Sequence, residues 1–255
     1  MKPAQNRNTT LPAIIKEIER QQTERIDDSE EEYNPIEQEF IGDMLIEQKP
    51  HTTTRCYFQN LNGIGWNTEG GEWPAICEAM AAIHVDIFCC AEINRDVKQR
   101  NIKDKITSIN NSYFKHHRYV ASTSKWTPVG TYKPGGTAIM AVEATTTLVQ
   151  RTTRDRMGRW AAIRLLGENN TGVTVISAYQ VCQSKITGKN TAANQQISQL
   201  IEEATVLTDP ARINPRDAFI RDLHQFIKHQ QQNGDQILLL GDFNEEMGIE
   251  NSGMA

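Results

Sequence analysis

The chain has 255 residues, enough for one large domain or two small ones, and a formal net charge of −5 at pH 7. That charge is uneven: residues 1–50 hold 6 Lys/Arg against 12 Asp/Glu, residues 51–255 hold 21 against 20, and residues 95–160 alone hold 13 against 4. No stretch nears the roughly 18 apolar residues of a membrane span, and five cysteines without CxxC spacing or zinc-finger histidines exclude a disulfide scaffold and a thiol-rich metal site.

The N-terminus has neither the apolar core of a secretory signal nor the basic character of a transit peptide, so the expected setting is intracellular, with reduced thiols. Pro12 can open a helix whose Ile14, Ile15 and Ile18 share a face, but the run Asp27–Glu32 repels itself. Residues 1–50 are therefore expected to be an acidic, largely disordered leader with one short helix, ahead of a folded domain over 51–255. Residues 55–61 read as a strand ending at the Asn62-Gly63 turn. Pro74 starts a helix with Trp73, Ile76, Met80 and Ile83 at the 3.6-residue period, and Ile87–Ala91 has the unbroken apolar character of a strand buried on both faces. The basic block 95–160 suits a polyanionic partner, or disperses over a solvated surface.

Thr137–Val142, Thr145–Val149, Trp160–Leu166 and Val173–Val181 read as strands whose short links favour antiparallel pairing. A helix over 192–207 places Ile197, Leu200, Ile201 and Ala204 on its inner face. A second helix starts at Pro215 behind the cap Asn214, turns Phe219, Leu223, Phe226 and Ile227 inward, and stops at Asn233-Gly234. Gln236–Leu240 is a further buried strand. Helix-linked and hairpin-linked strands together predict an α/β fold with mixed sheets.

In such layers functional groups gather where strands end. Four strand ends carry suitable residues: Asn60 with Asn62, Glu92, Tyr179, and Asp242 with Asn244. Alternation along an extended strand points residues two apart the same way, so Asp242 and Asn244 should project together, as should Asn60 and Asn62. A hard cation such as Mg²⁺ needs only one or two carboxylates plus amide oxygens and water, which Glu92 and Asn60 can supply. Asp242 could then orient or deprotonate a water while Asn244 and Tyr179 hold phosphate oxygens. Singly, each residue has a plainer reading: Gly-Asp-Phe-Asn and Asn-Gly are ordinary turns, Tyr179 is packing, Gly135-Gly136 is backbone geometry, and His116 and His117 are solvated surface. Order and spacing carry the signal.

The series Phe58–Gly63, Asp86–Glu92, Gly135–Ile139, Ile176–Tyr179 and Leu240–Asn244 resembles the endonuclease/exonuclease/phosphatase superfamily over residues 54–250. The resemblance implies a four-layer α/β/β/α sandwich with two mixed β-sheets and cleavage of phosphoester bonds using Mg²⁺, or Mn²⁺ in its place. It implies metal on Asn60 and Glu92, phosphate contacts from Tyr179 and Asn244, and a water-orienting carboxylate at Asp242. Ala91 and Ile93 stand where members usually carry Gln and often Thr, and Gln180-Val181 replaces Ala-Pro after the tyrosine; these departures bear on substrate detail. Members also carry an Asp-His pair after a further strand, so the expectation is a domain incomplete at its C-terminus with little or no turnover. Within the superfamily the sequence is most similar to non-LTR retrotransposon endonuclease domains, which implies a nucleic-acid partner, DNA foremost, no membrane, and a reverse transcriptase downstream in the same polyprotein. The alternatives are a phosphatase or phosphodiesterase acting on phosphoinositides, sphingomyelin or poly(A), and a non-catalytic remnant that binds nucleic acid.

Overall fold

The computed structural model describes residues 49–50, 52–65, 72–125, 132–167, 171–182, 191–203 and 213–245. Cys56–Asn60 (β1) and Ile87–Ala91 (β2) pair in parallel, linked through the helix Glu72–Ala82 (α1). The helix Arg100–Tyr113 (α2) and strand His117–Ser122 (β3) lead to Thr137–Val142 (β4), which lies antiparallel between β2 and β3. The first sheet thus runs β1-β2-β4-β3. Val149–Arg154 (β5), Trp160–Leu166 (β6) and Gly172–Tyr179 (β7) pair antiparallel in turn. The helices Ala192–Glu203 (α3) and Pro215–Gln232 (α4) return the chain so that Gln236–Asp242 (β8) lies parallel to β7.

Alternation sets the layers. In β2 all five residues are buried: Ile87 and Cys89 join Ile139, Ala161, Ile163 and Val175 between the sheets. Phe88 and Cys90 point the other way, against Trp73, Cys77 and Met80 of α1 and Ile102 and Ile106 of α2. On the far side, Trp160, Ala162, Ile176 and Ala178 pack on Phe219 and Leu223 of α4. Two mixed four-stranded sheets therefore face each other with helices outside, the α/β/β/α sandwich expected. Near one end of the middle layer Thr137 Oγ1 and Ser177 Oγ meet at 2.9 Å and both bond the Cys90 carbonyl. Among the described residues β1 and β8 are edge strands on the same flank. A groove of about 480 Å³ opens between them, lined by Pro50, Thr53, Thr54, Arg55, Cys56, Leu238 and Leu240.

Two expectations differ. Thr145–Val149 is not a strand: Glu143–Leu148 forms a 3₁₀ turn in which Thr146 and Thr147 hydroxyls bond carbonyls three residues back, and the strand begins at Val149. Threonine side chains compete with the sheet ladder in this way. The buried residues of α3 are Gln195, Gln196 and Gln199, while Ile201 is 40% exposed. Hydrogen bonds explain that inversion: Ser124 donates to Gln195, the Lys125 amide donates to Gln199, and Gln196 reaches the Met157 carbonyl. The helix α2 and strand β3 were not among the expected elements, their apolar positions being thinly spread among polar residues. Of the expected leader over 1–50, residues 1–48 lie outside the described residues, as does Ala204, while Lys49 pairs with Asp86 of the domain at 2.5 Å.

Candidate active site

Parallel pairing brings the four strand ends to one end of the sandwich. The register aligns Asn60 with Ala91, the residue before Glu92, and Tyr179 with Asp242. Across the two sheets Asn60 Nδ2 donates to Asp242 Oδ2 at 2.6 Å, joining positions 182 apart in sequence.

The chain turns directly after β1 and β8, so the extended geometry expected for Asn60/Asn62 and Asp242/Asn244 is corrected. Asn62 and Asn244 have φ of 46° and 48°. The Asn62 amide donates to Asn60 Oδ1 at 2.9 Å and the Asn244 amide to Asp242 Oδ1 at 3.0 Å. These are Asx turns, in which a short side chain mimics a backbone carbonyl. The Asn244 side chain is held at the end of β7 by donating to the Gln180 carbonyl at 2.7 Å.

Glu92 stands one residue beyond β2 with φ of 51°, its carbonyl accepting from Gly63 N at 2.7 Å. Tyr179 is 6% exposed. Burial and then the Glu92 carboxylate, to which it hydrogen-bonds, push the phenol's pKa up, with Cys182 and Asp242 adding to the shift. Tyr179 thus stays neutral, with its hydroxyl hydrogen-bonded to Glu92 and in the weaker field of Asp242.

Two supporting residues escaped the sequence reading. Asn94, φ 49°, exchanges bonds with Gly135: its amide donates to the Gly135 carbonyl at 3.0 Å and its Oδ1 accepts from Gly135 N at 2.7 Å. A Cβ on Gly135 would lie 2.9 Å from Ala192 Cβ and 3.5 Å from the Tyr179 ring, so this glycine, φ 77°, lets the loop close on the tyrosine. Arg216, at the start of α4, donates to the carbonyls of Val181 and Asn244 and pairs with Glu245. An asparagine two residues past a strand-end glutamate was a readable signal for Asn94; nothing local marked Arg216.

The sequence matches the endonuclease/exonuclease/phosphatase family over residues 64–248. The chain belongs to that family. None of the curated proteins matches. Among solved structures, the chain is similar to an endonuclease/exonuclease/phosphatase family protein from Leptotrichia buccalis C-1013-b (14% identity, 77% of this chain and 70% of that one covered, TM-score 0.45). It is similar also to a mannosyl-6-phosphatase from Bacteroides thetaiotaomicron VPI-5482 (10%, 78% and 68%, 0.46). A third is sphingomyelinase C from Streptomyces griseocarneus (13%, 77% and 66%, 0.40).

Family membership implies divalent-metal chemistry. Among the described residues no three His, Cys, Asp or Glu side chains converge as a metal cluster. The donor types still suit a hard cation, since one carboxylate, Glu92, and one amide oxygen, Asn60, suffice when water completes the shell. Among the described residues, no Lys or Arg forms an ion pair with Glu92 or Asp242. No helix among them is long and apolar enough to cross a membrane.

Proposed function

We propose that this chain is a Mg²⁺-dependent phosphodiester hydrolase that cuts nucleic acid, DNA foremost, in an intracellular retrotransposon-type protein with a reverse transcriptase downstream. The Asn60–Asp242 hydrogen bond carries the reading, because it joins an amide and a carboxylate from opposite sheets beside the Tyr179–Glu92 pair. Asn60 and Glu92 would hold the Mg²⁺, or Mn²⁺ in its place, which when bound supplies positive charge to the phosphate. Each Asp242 oxygen accepts a bond from one donor, Asn60 Nδ2 or the Asn244 amide, and keeps a lone pair to orient a water and take its proton. Tyr179 stays protonated and can turn its O–H from Glu92 to a phosphate oxygen, and Asn244 retains a second amide hydrogen for the same use.

Among the described histidines, His84, His116 and His117 lie at the opposite end of the sheets, and His224 and His229 lie on α4. In the full-length protein, Mg²⁺-dependent nicking of supercoiled DNA is expected to fall at least about 10²-fold in Glu92→Ala and in Asp242→Ala. Unchanged nicking in either variant sinks the assignment. Release of phosphate from inositol lipids without nicking moves the site to another branch of the family.

A further inference from the structure

We propose that Lys98, Lys125, Arg154 and Arg156 form an outlying subsite for the phosphate backbone of a nucleic-acid polymer, set beside the candidate active site. The inference rests on the nucleic-acid reading of that site and deepens it by naming the residues that would make the substrate a polymer.

Separate segments converge there. Lys98 comes from the loop after β2, Lys125 from the loop after β3, and Arg154 and Arg156 from the end of β5 and the turn beyond. Lys98 Nζ and the buried Lys133 Nζ both donate to the Ser124 carbonyl, at 2.9 and 2.7 Å. Burial and then Lys133 lower the Lys98 pKa; Arg154 and Lys125 lower it further, and Asp96 partly offsets them. Cations placed this close repel one another, so the cluster is held against an electrostatic cost.

Local carboxylates leave most of that charge unanswered. Asp96 is bound to Lys133 at 3.3 Å, and Asp155 is bound to Arg159 at 2.9 Å. Glu203 faces the patch, pairing with Lys125 at 2.7 Å within the field of Arg156. Arg154 and Arg156 are exposed and form no ion pair among the described residues. A solvated face would follow from a run of charges in one segment; here exposed cations from three segments meet.

Position favours a polymer. Arg154 ends β5 opposite Ala161, beside the Trp160–Ala178 pair that leads to Tyr179, so the patch shares the active-site end. In the second sheet β5 and β8 are three strand spacings apart, so the Arg154 and Asp242 backbones are separated by roughly 14 Å at about 4.8 Å per spacing. That corresponds to roughly four nucleotide steps at 3.4 Å per strand. A sugar phosphate or a single headgroup held at Asp242 is too short to reach it; a continuing backbone is not.

The test is binding of a fluorescent DNA duplex several turns long to full-length protein in EDTA, over a range of salt. Arg154→Gln with Arg156→Gln is expected to weaken binding about tenfold or more at low salt and to reduce the slope of log K against log[salt] by about 1.8, two phosphates' worth. Arg154→Lys with Arg156→Lys keeps the slope, and Lys228→Gln on α4 leaves it unchanged. An unchanged melting temperature in the Gln pair shows that folding is intact. A slope equal to wild type in the Gln pair overturns the subsite. Glu92→Ala keeps the slope, so loss of nicking and loss of backbone binding report separately on the active site and the patch. Wild-type binding to phosphatidylserine vesicles with none to DNA overturns both.

Discussion

Asn62, Glu92, Asn94 and Asn244 hold φ between 46° and 51°, a left-handed state that costs an L-residue about 1–2 kcal/mol. All four stand on the rim of the candidate site. Asparagine tolerates the state through local hydrogen bonds; Glu92 has a side chain too long for that relief, and strain of this kind persists where surrounding structure over-determines it. The buried thiols make a separate prediction. Burial and then Asp86 push Cys56 up to about 11, and burial pushes Cys77 up to about 12. Unfolded thiols ionise near pH 8.5, so this stabilisation is complete below about pH 8.5 and is lost as pH rises toward the folded values. The urea midpoint is expected to fall between about pH 9 and 11, and to fall less in Cys77→Ala; equal slopes in the two proteins would count against it. At this scale Asn60, Glu92, Tyr179, Asp242 and Asn244 were legible because each punctuates an apolar run. The Asx turns were not, because alternation presumes a strand that continues.

Among the elements, α4 shows what makes a boundary readable. Asn214 accepts from Arg216 N at 3.0 Å, Pro215 fills the first helical position, and Gly234 sits at φ 86° just past the end. Asn214→Ala is expected to cost about 1 kcal/mol in urea unfolding, by loss of the cap. Since Arg216 also holds the carbonyls of Val181 and Asn244, the same variant should weaken Mg²⁺-dependent nicking while Asn214→Ser restores both stability and nicking. β2 was equally legible, its length set by uninterrupted apolar residues, and β6 nearly so, with Arg164 its one charged residue. In α3 the inner face is glutamine, and whether a glutamine finds Ser124, the Lys125 amide or the Met157 carbonyl depends on segments far away in sequence. Periodicity measures apolar burial and misses a face held by polar contacts.

At the scale of the whole molecule, among the described residues β2, β4, β6 and β7 have partners on both sides, whereas β1 and β8 each have one, on the same flank. Leu238 is 38% exposed there, beside the groove between the sheets. Edge strands open at lower free energy than central ones. Native-state hydrogen exchange should therefore be faster at matched buried amides of β1 and β8 than of β2 and β6; uniform protection would contradict this. Mixed α/β layers were legible from local patterns and the sandwich from the family resemblance, but which strands became edges was not, because pairing order depends on crossovers that local patterns do not encode. Asn60 and Asp242 are the terminal residues of those two edge strands, joined to each other by one side-chain hydrogen bond. The seam most able to breathe thus runs straight into the candidate site, and each opening of it parts the Asp242 carboxylate from the Asn60 amide.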